Sequence, residues 1–209
     1  MYGGYLNNSL TSVRKAIDYT ELVKDLSMAL QNKKTLNDLF SAVHNIFTDK
    51  LHCYFTAFGT YHEKSKCINL KLTNAMGSTY SSKIFLSESD NPVIECFTNM
   101  SAVMQKDNKF LNIPYMKNAP TILLPLVSLG LRAGVMILGK ESEDYNIGIL
   151  SFIANFAAMF MQNIDLQEKT NKYANTDTLT TLYSHRGFQE VLANEIIKSD
   201  DTDTPLSIV

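Results

Sequence analysis

The sequence is poor in cysteine, and its three cysteines form no recognisable set. Cys53, Cys67 and Cys96 stand far apart, and no C-x-x-C pair occurs. An odd, scattered number of cysteines argues against a disulfide framework and supplies no metal-ligand spacing. We therefore expect reduced thiols, a cytoplasmic protein and no metal site.

An excess of charge of either sign is also absent. The chain has 19 Lys and Arg against 21 Asp and Glu, a formal net charge of -2. This balance gives no reason to expect a nucleic-acid or anionic-membrane surface. Residues 1–8 also lack the basic and then apolar order of a secretory signal.

Long uninterrupted apolar runs are missing too. Residues 121–139 contain a proline, an arginine and glycines, which suits a hairpin better than a membrane span. Residues 147–161 hold Asn155 and fall short of the ~20 apolar residues that a spanning helix needs. We expect no membrane span in this chain.

The composition that remains, 45% hydrophobic and 19% charged residues, is typical of a globular chain with a core. Apolar spacing predicts a helix over residues 12–30 and a second one after Thr35. Thr35 and Asp38 have the spacing of a capping box, in which side chains satisfy free backbone N–H groups.

From Cys53 onward the pattern becomes that of strands. Aromatic, β-branched or alternating residues predict strands over residues 54–61, 68–73, 80–86, 102–105, 121–127 and 133–139. A short helix should begin at Pro92, and residues 106–120 should form a long loop. Pro125 belongs on a sheet edge or at a bulge. The order predicts an α+β fold, an antiparallel sheet with helices on one face.

A long helix is predicted over residues 146–173, apolar at its start and polar at its end. Its heptad seam holds Ile149, Phe152, Phe156, Met159, Asn163 and Leu166. Ile153 and Phe160 lie beside that seam, so the helix needs burial on two sides. A second copy of the helix is the simplest second partner, and Asn163 would set its register. The alternative is a single helix packed on its own domain.

The segment after this helix reads D-T-L-T-T-L-Y-S-H-R-G-F over residues 177–188. It resembles the D-x-L-T-x-L-x-N-R-R-x-F opening turn of the GGDEF family, the diguanylate cyclases. The matching residues are Asp177, Leu179, Thr180, Leu182 and Arg186, whereas Ser184 and His185 depart from the family pattern. Pro205 to Val209 looks like that family's first strand, and Ser184 should cap a helix whose buried face includes Phe188, Val191, Leu192 and Ile196.

The catalytic parts of that family are missing from this sequence. Neither the metal-binding aspartate after the first strand nor the G-G-D/E-E-F hairpin occurs. Mg²⁺ and GTP are therefore expected only for a complete GGDEF domain, and this chain alone should not make cyclic di-GMP.

The hairpin over residues 121–139, with the helices around it, resembles a GAF domain. The resemblance implies a regulatory sensor or dimerisation module with a pocket between sheet and short helix. Candidate lining residues are Phe55, Phe58, Ile94, Phe97, Met104, Phe110 and Tyr115. The same aromatics can instead fill a core. Cys96 as a bilin attachment point, and His44 or His52 as metal ligands, lack the surrounding pattern.

These features predict four parts: a helical lead-in (1–18), a GAF-like sensor and dimerisation domain (19–165), an overlapping connector helix (146–176) and a GGDEF start (177–209). The favoured function is the regulatory, homodimeric region of a diguanylate cyclase, with an unknown small-molecule ligand. The alternatives are a non-catalytic interaction module with a degenerate GGDEF domain, and a small-molecule sensor whose tail is incidental.

Overall fold

A computed structural model describes residues 20–31, 33–113, 118–140, 146–175, 180 and 182–208, without the side chains of 172–174. The chain divides into two compact units, Met1–Gln162 and Asn163–Val209. The domain boundaries expected from the sequence remain predictions.

Two helices of the first unit begin at side-chain caps that the sequence supplies. Helix α1 covers residues 20–30, helix α2 runs Leu36–Leu51 and helix α3 runs Pro92–Asn99. The Thr35 hydroxyl accepts from the backbone N–H of Asp38 at 3.2 Å, which confirms the predicted cap. The Asn91 side chain accepts from Val93 N at 3.0 Å, and the proline of α3 occupies a position where no N–H is needed.

Within the described part of the chain, six strands form one antiparallel sheet. They are β1 (Phe55–His62), β2 (Cys67–Asn74), β3 (Thr79–Phe85), β4 (Val103–Gln105), β5 (Thr121–Ser128) and β6 (Leu131–Gly139). Their spatial order is β3-β2-β1-β6-β5-β4. The predicted α+β class and antiparallel sheet are confirmed. The predicted long loop contains one short 3₁₀ turn, Lys109–Leu111.

Helices lie on both faces of this sheet, not on one as the sequence suggested. Successive residues of a strand point to opposite faces. Phe55 and Ala57 of β1 join the apolar cluster that contains α3, whereas Thr56 and Phe58 contact α2. We call these the α3 face and the α2 face. The sequence did not reveal this, because Phe55 and Phe58 are both apolar although they point to opposite faces.

Pro125 occupies a place where a strand can lack an N–H donor. Strand β4 pairs with β5 only from Thr121 to Leu123, so β5 has an open edge at Pro125. A register shift follows between Leu126 and Val127. Both features agree with the expected edge or bulge.

The long helix α4 runs Ile147–Asn175 and has 29 residues. Its first turn is capped by Asn146, whose Oδ1 accepts from Ile149 N at 3.2 Å. Within it, Ile147–Asn171 is long and apolar enough to cross a membrane by length and composition, with 39% of its most apolar window buried in the protein. The expectation that this helix does not span a membrane remains a prediction.

Helix α5 runs His185–Thr202 in the second unit. The Ser184 hydroxyl accepts from Gly187 N at 3.1 Å, which confirms the predicted cap. The predicted buried face is wrong for Phe188, Val191 and Ile196, which are exposed. The predicted strand is also not formed over residues 204–208, and Val209 lies outside the described residues. A strand is stable only when it pairs with neighbours, which the local sequence cannot supply.

Candidate functional site

The α3 face carries a closely packed apolar cluster where the sequence predicted a pocket. Phe55, Ile94 and Phe97 have relative exposures of 0%, 5% and 4% and belong to this cluster. Phe110 is half-buried and packs against it. Four of the seven predicted lining residues therefore meet on the α3 face, where they also fill its core.

The other predicted lining residues do not join them. The Phe58 ring stacks on Phe40 of α2, with centroids 4.4 Å apart, so it lies on the α2 face. Met104 is on strand β4 and is 47% exposed. Tyr115 lies outside the described residues. The placement of Phe58 follows from strand alternation, since it is one residue out of phase with Ala57.

Arg132 places a positive charge over this apolar cluster. Its guanidinium carbon is 5.9 Å from the centroid of the Phe97 ring, and the Tyr61 ring lies 4.7 Å from that of Phe97. A guanidinium over an aromatic face is attracted by the ring quadrupole. The sequence reading missed this residue because strand β6 brings it to Phe97 from a distant part of the chain.

Two cysteines of the first unit, Cys53 and Cys96, have buried thiols with raised pKa values. Burial raises the pKa of Cys53 to about 12, and it raises that of Cys96 to about 12 as well. Their thiols therefore stay neutral near pH 7 and are poor nucleophiles. Cys96 is fully buried on α3, which gives it a packing role.

The α2 face contains a buried histidine beneath a polar cleft. Nδ1 of His44 lies 2.8 Å from the Thr56 hydroxyl, and burial lowers the pKa of His44 below its usual value. The cleft, of about 550 Å³, is lined by polar groups of α2, β2 and the β2–β3 turn, including Asn45 and Lys71. Among the described residues, no three His, Cys, Asp or Glu side chains are grouped to hold a metal.

Helix α4 has two apolar flanks with opposite surroundings. Leu150, Ile153, Ala154, Ala157, Ala158 and Met161 are buried. The predicted seam is on the other flank: Phe152, Met159 and Leu166 are 55%, 42% and 51% exposed. Asn163 is exposed as well, and Ile149 and Phe156 are half-buried.

Aromatic contacts order the exposed flank. The rings of Phe152 and Phe156 stack with centroids 6.2 Å apart, and Phe156 meets Phe160 edge-on at 5.0 Å. Such pairs gain about 0.5–1.5 kcal/mol beyond their buried area. The part of this flank in the first unit is thus ordered by ring contacts from Phe152 to Phe160. We call Ile149, Phe152, Phe156, Met159, Asn163 and Leu166 the α4 seam.

The residues that resemble a GGDEF opening turn are only partly described. Asp177 and Leu179 lie outside the described residues, whereas Thr180 and Leu182 are exposed. Arg186 pairs with Glu190 one turn along α5, at 3.2 Å between Nε and Oε1. The Asn175 side chain donates to the other carboxylate oxygen of Glu190 at 2.7 Å.

Three solved structures illustrate the fold. The GAF domain of a phosphoenolpyruvate-protein phosphotransferase from Coxiella burnetii has 9% identity and a TM-score of 0.58, over 74% of this chain and 98% of that one. The nlh2 GAF domain of A. aeolicus in an inactive state has 15% identity and a TM-score of 0.55, over 71% and 98%. The free methionine-R-sulfoxide reductase of Neisseria meningitidis, solved with its substrate, has 12% identity and a TM-score of 0.57, over 71% and 91%.

These likenesses give the chain a GAF-like fold, and identities this low concern the fold alone. No protein-family model matches the sequence, and no curated protein matches it. The comparisons give no support to a GGDEF domain in this chain.

Proposed function

We propose that this chain is a regulatory sensor and dimerisation region that relays a signal along α4 to whatever follows it. The observation that carries the proposal is the pair of unlike flanks on α4, one buried in the protein and one exposed and apolar. The GAF-like fold of solved sensor and regulatory domains supports the same reading. The buried cysteines and the buried flank of α4 favour a cytoplasmic protein.

A second copy of this chain is the proposed occupant of the α4 seam. Two identical seams can face each other about a two-fold axis, each burying the same residues. Burying one large apolar side chain is worth about 1.5–3 kcal/mol, so several such residues can offset the entropy of association. Asn163 interrupts the apolar seam, and a polar residue at such a position fixes register at some cost in stability.

A parallel pair would bring the two Asn175 ends together. The resemblance of residues 177–188 to a GGDEF opening turn makes a diguanylate cyclase the proposed output, since that reaction joins two GTP molecules held by two subunits. Mg²⁺ and GTP would belong to the complete GGDEF domain, because carboxylates and phosphate donors are needed there. Signal input would be a small molecule at the α3 face, with Arg132 as a positively charged contact.

A non-catalytic interaction module is the second candidate. Its support is the packing of the α3 face, where Phe55, Ile94 and Phe97 are almost inaccessible and fill the space between sheet and helix. Ligand binding there would require these side chains to move. In this reading the fold dimerises and binds proteins without sensing a metabolite.

Light scattering of the purified chain tests the dimer. The wild type should have twice the monomer mass of 23.5 kDa. Phe156→Asp should yield the monomer mass, because a carboxylate facing its own copy is buried without a partner. Asn171→Asp adds the same charge outside the seam and should leave the dimer intact. A wild-type monomer, or a Phe156→Asp dimer, would sink the proposal.

A further inference from the structure

We propose that Asn175, Gly187 and Glu190 form a rigid joint between α4 and α5 and act as its positioning residues. We call them, with Ser184 and Arg186, the α4–α5 joint. The contacts of the joint do not depend on the proposed signal relay. Only the role that we give to the joint rests on that relay. Its geometry belongs to the second unit alone.

The first contact joins the two backbones. Asn175 is the last residue of α4, where carbonyl groups lack a helical partner. Its carbonyl oxygen accepts from Ser184 N at 2.9 Å. Ser184 also caps α5, accepting from Gly187 N at 3.1 Å. The end of one helix is therefore bound to the cap of the next.

The second contact is steric and explains a glycine inside a helix. A Cβ at Gly187 would overlap the carbonyl oxygen of Asn175 and lie 2.9 Å from its carbonyl carbon. Alanine at an interior helix position is favoured over glycine by about 1 kcal/mol. The lack of a side chain lets α5 approach the end of α4 within van der Waals contact. Any larger residue would separate the two backbones.

The third contact uses both oxygens of one carboxylate. Asn175 Nδ2 donates to Glu190 Oε2 at 2.7 Å, and Arg186 Nε donates to Glu190 Oε1 at 3.2 Å. The pKa of Glu190 is lowered, first by the hydrogen bond from Asn175 and then by that from Arg186. Arg186 thus holds the carboxylate on α5 in the position where Asn175 of α4 reaches it.

These contacts couple the directions of the two helices. A rotation of α4 about its axis moves the backbone carbonyl and the side-chain amide of Asn175 together, because both belong to one helical residue. Ser184, Gly187 and Glu190 must follow or lose their contacts. A simple tether between two helices would instead absorb the rotation through its own backbone torsions. The joint would pass a change in α4 on to α5.

Spin labels on the two helices test the joint directly. Glu168→Cys in α4 and Asn194→Cys in α5 replace exposed residues, and the native cysteines are buried. The label-to-label distance is measured by pulsed electron resonance, in labelled chain diluted with unlabelled chain so that only distances within one chain count. The wild type should give one narrow peak.

Gly187→Ala should replace that peak with a broad or double distribution. The helix content measured by circular dichroism should not fall, because alanine favours helix. Asn175→Ala combined with Glu190→Gln should broaden the peak by removing the third contact. Gly148→Ala is the matched control, since among the described residues a Cβ there meets only Asn146 Oδ1, at an ordinary 3.6 Å.

A broad wild-type distribution, or a Gly187→Ala peak like that of the wild type, would overturn the joint. Neither result depends on dimerisation or on a ligand. A narrow peak in a chain that is monomeric by light scattering would keep the joint and remove the proposed relay. A broad peak in a dimeric chain would remove the joint and leave the dimer.

Discussion

Helices α3 and α5 both begin at a side-chain cap and both carry apolar residues along their length, but their surroundings differ. Each begins at a side-chain cap, Asn91 in one and Ser184 in the other. On α3, Val93, Ile94 and Phe97 are buried against a sheet, whereas on α5 the apolar residues at similar spacing are exposed, Phe188 at 43% and Ile196 at 45%. The difference shows that an amphipathic pattern specifies a helix and an apolar flank, and that a partner surface must be present to bury that flank.

The largest expected effect comes from truncating the buried helix. Phe97→Ala should lower the free energy of unfolding by about 3–5 kcal/mol, because it leaves a cavity in the α3 face. Phe188→Ala on α5 should cost less than about 1 kcal/mol, because the Phe188 ring is exposed and its removal leaves no cavity in a core. Urea unfolding followed by circular dichroism measures both. Equal losses of stability in the two variants would contradict the claim that α3 is buried and α5 is exposed.

The two caps should stabilise their helices by similar amounts, but the loss of each cap should affect a different part of the protein. Asn91→Ala removes the acceptor for Val93 N and should cost about 1 kcal/mol of global stability. Ser184→Ala removes a similar bond but should loosen only α5, leaving the unfolding midpoint of the first unit unchanged. Amide hydrogen exchange resolves the two cases. Faster exchange in strands β5 and β6 of Ser184→Ala would contradict this division.

The smallest expected effect is a pH dependence from the α2 face. Burial lowers the pKa of His44, so the unfolded chain binds this proton more tightly than the folded one. The stability from neutral His44 is then present above about pH 6.5, the usual unfolded value, and is lost as the pH falls through the folded pKa. His44→Gln should lose less stability than wild type between neutral and mildly acid pH. An identical loss in both would show that His44 contributes nothing.

Sequence periodicity predicted most elements of the fold because helices and strands were amphipathic or capped locally. The Thr35 and Ser184 caps, the edge position of Pro125 and the long helix α4 are such cases. The sidedness of the sheet could not be predicted, because Phe55 and Phe58 are both apolar and only the tertiary fold assigns their faces.

The candidate sites were predicted less completely for a related reason. The residues of the α4 seam could be predicted from the sequence, because their heptad spacing repeats within one helix. The contacts of His44 with Thr56, of Arg132 with Phe97 and of Asn175 with Glu190 each join separate elements. Such pairs depend on how elements pack, and no local pattern marks them. Gly187 did stand out in the sequence, because it is a glycine early in a predicted helix. Its contact with Asn175 was not predicted.

In the proposed dimer, two copies of α4 pair in parallel and in register through the α4 seam. Asn163→Cys tests this pairing most directly, because residues at this seam position face their own copies across a two-fold axis. Mild oxidation should convert Asn163→Cys to a disulfide-linked dimer, while Asn171→Cys, outside the seam, should remain uncrosslinked at the same concentration. Crosslinking of Asn171→Cys in preference to Asn163→Cys, or of neither, would contradict parallel and in-register pairing through the α4 seam.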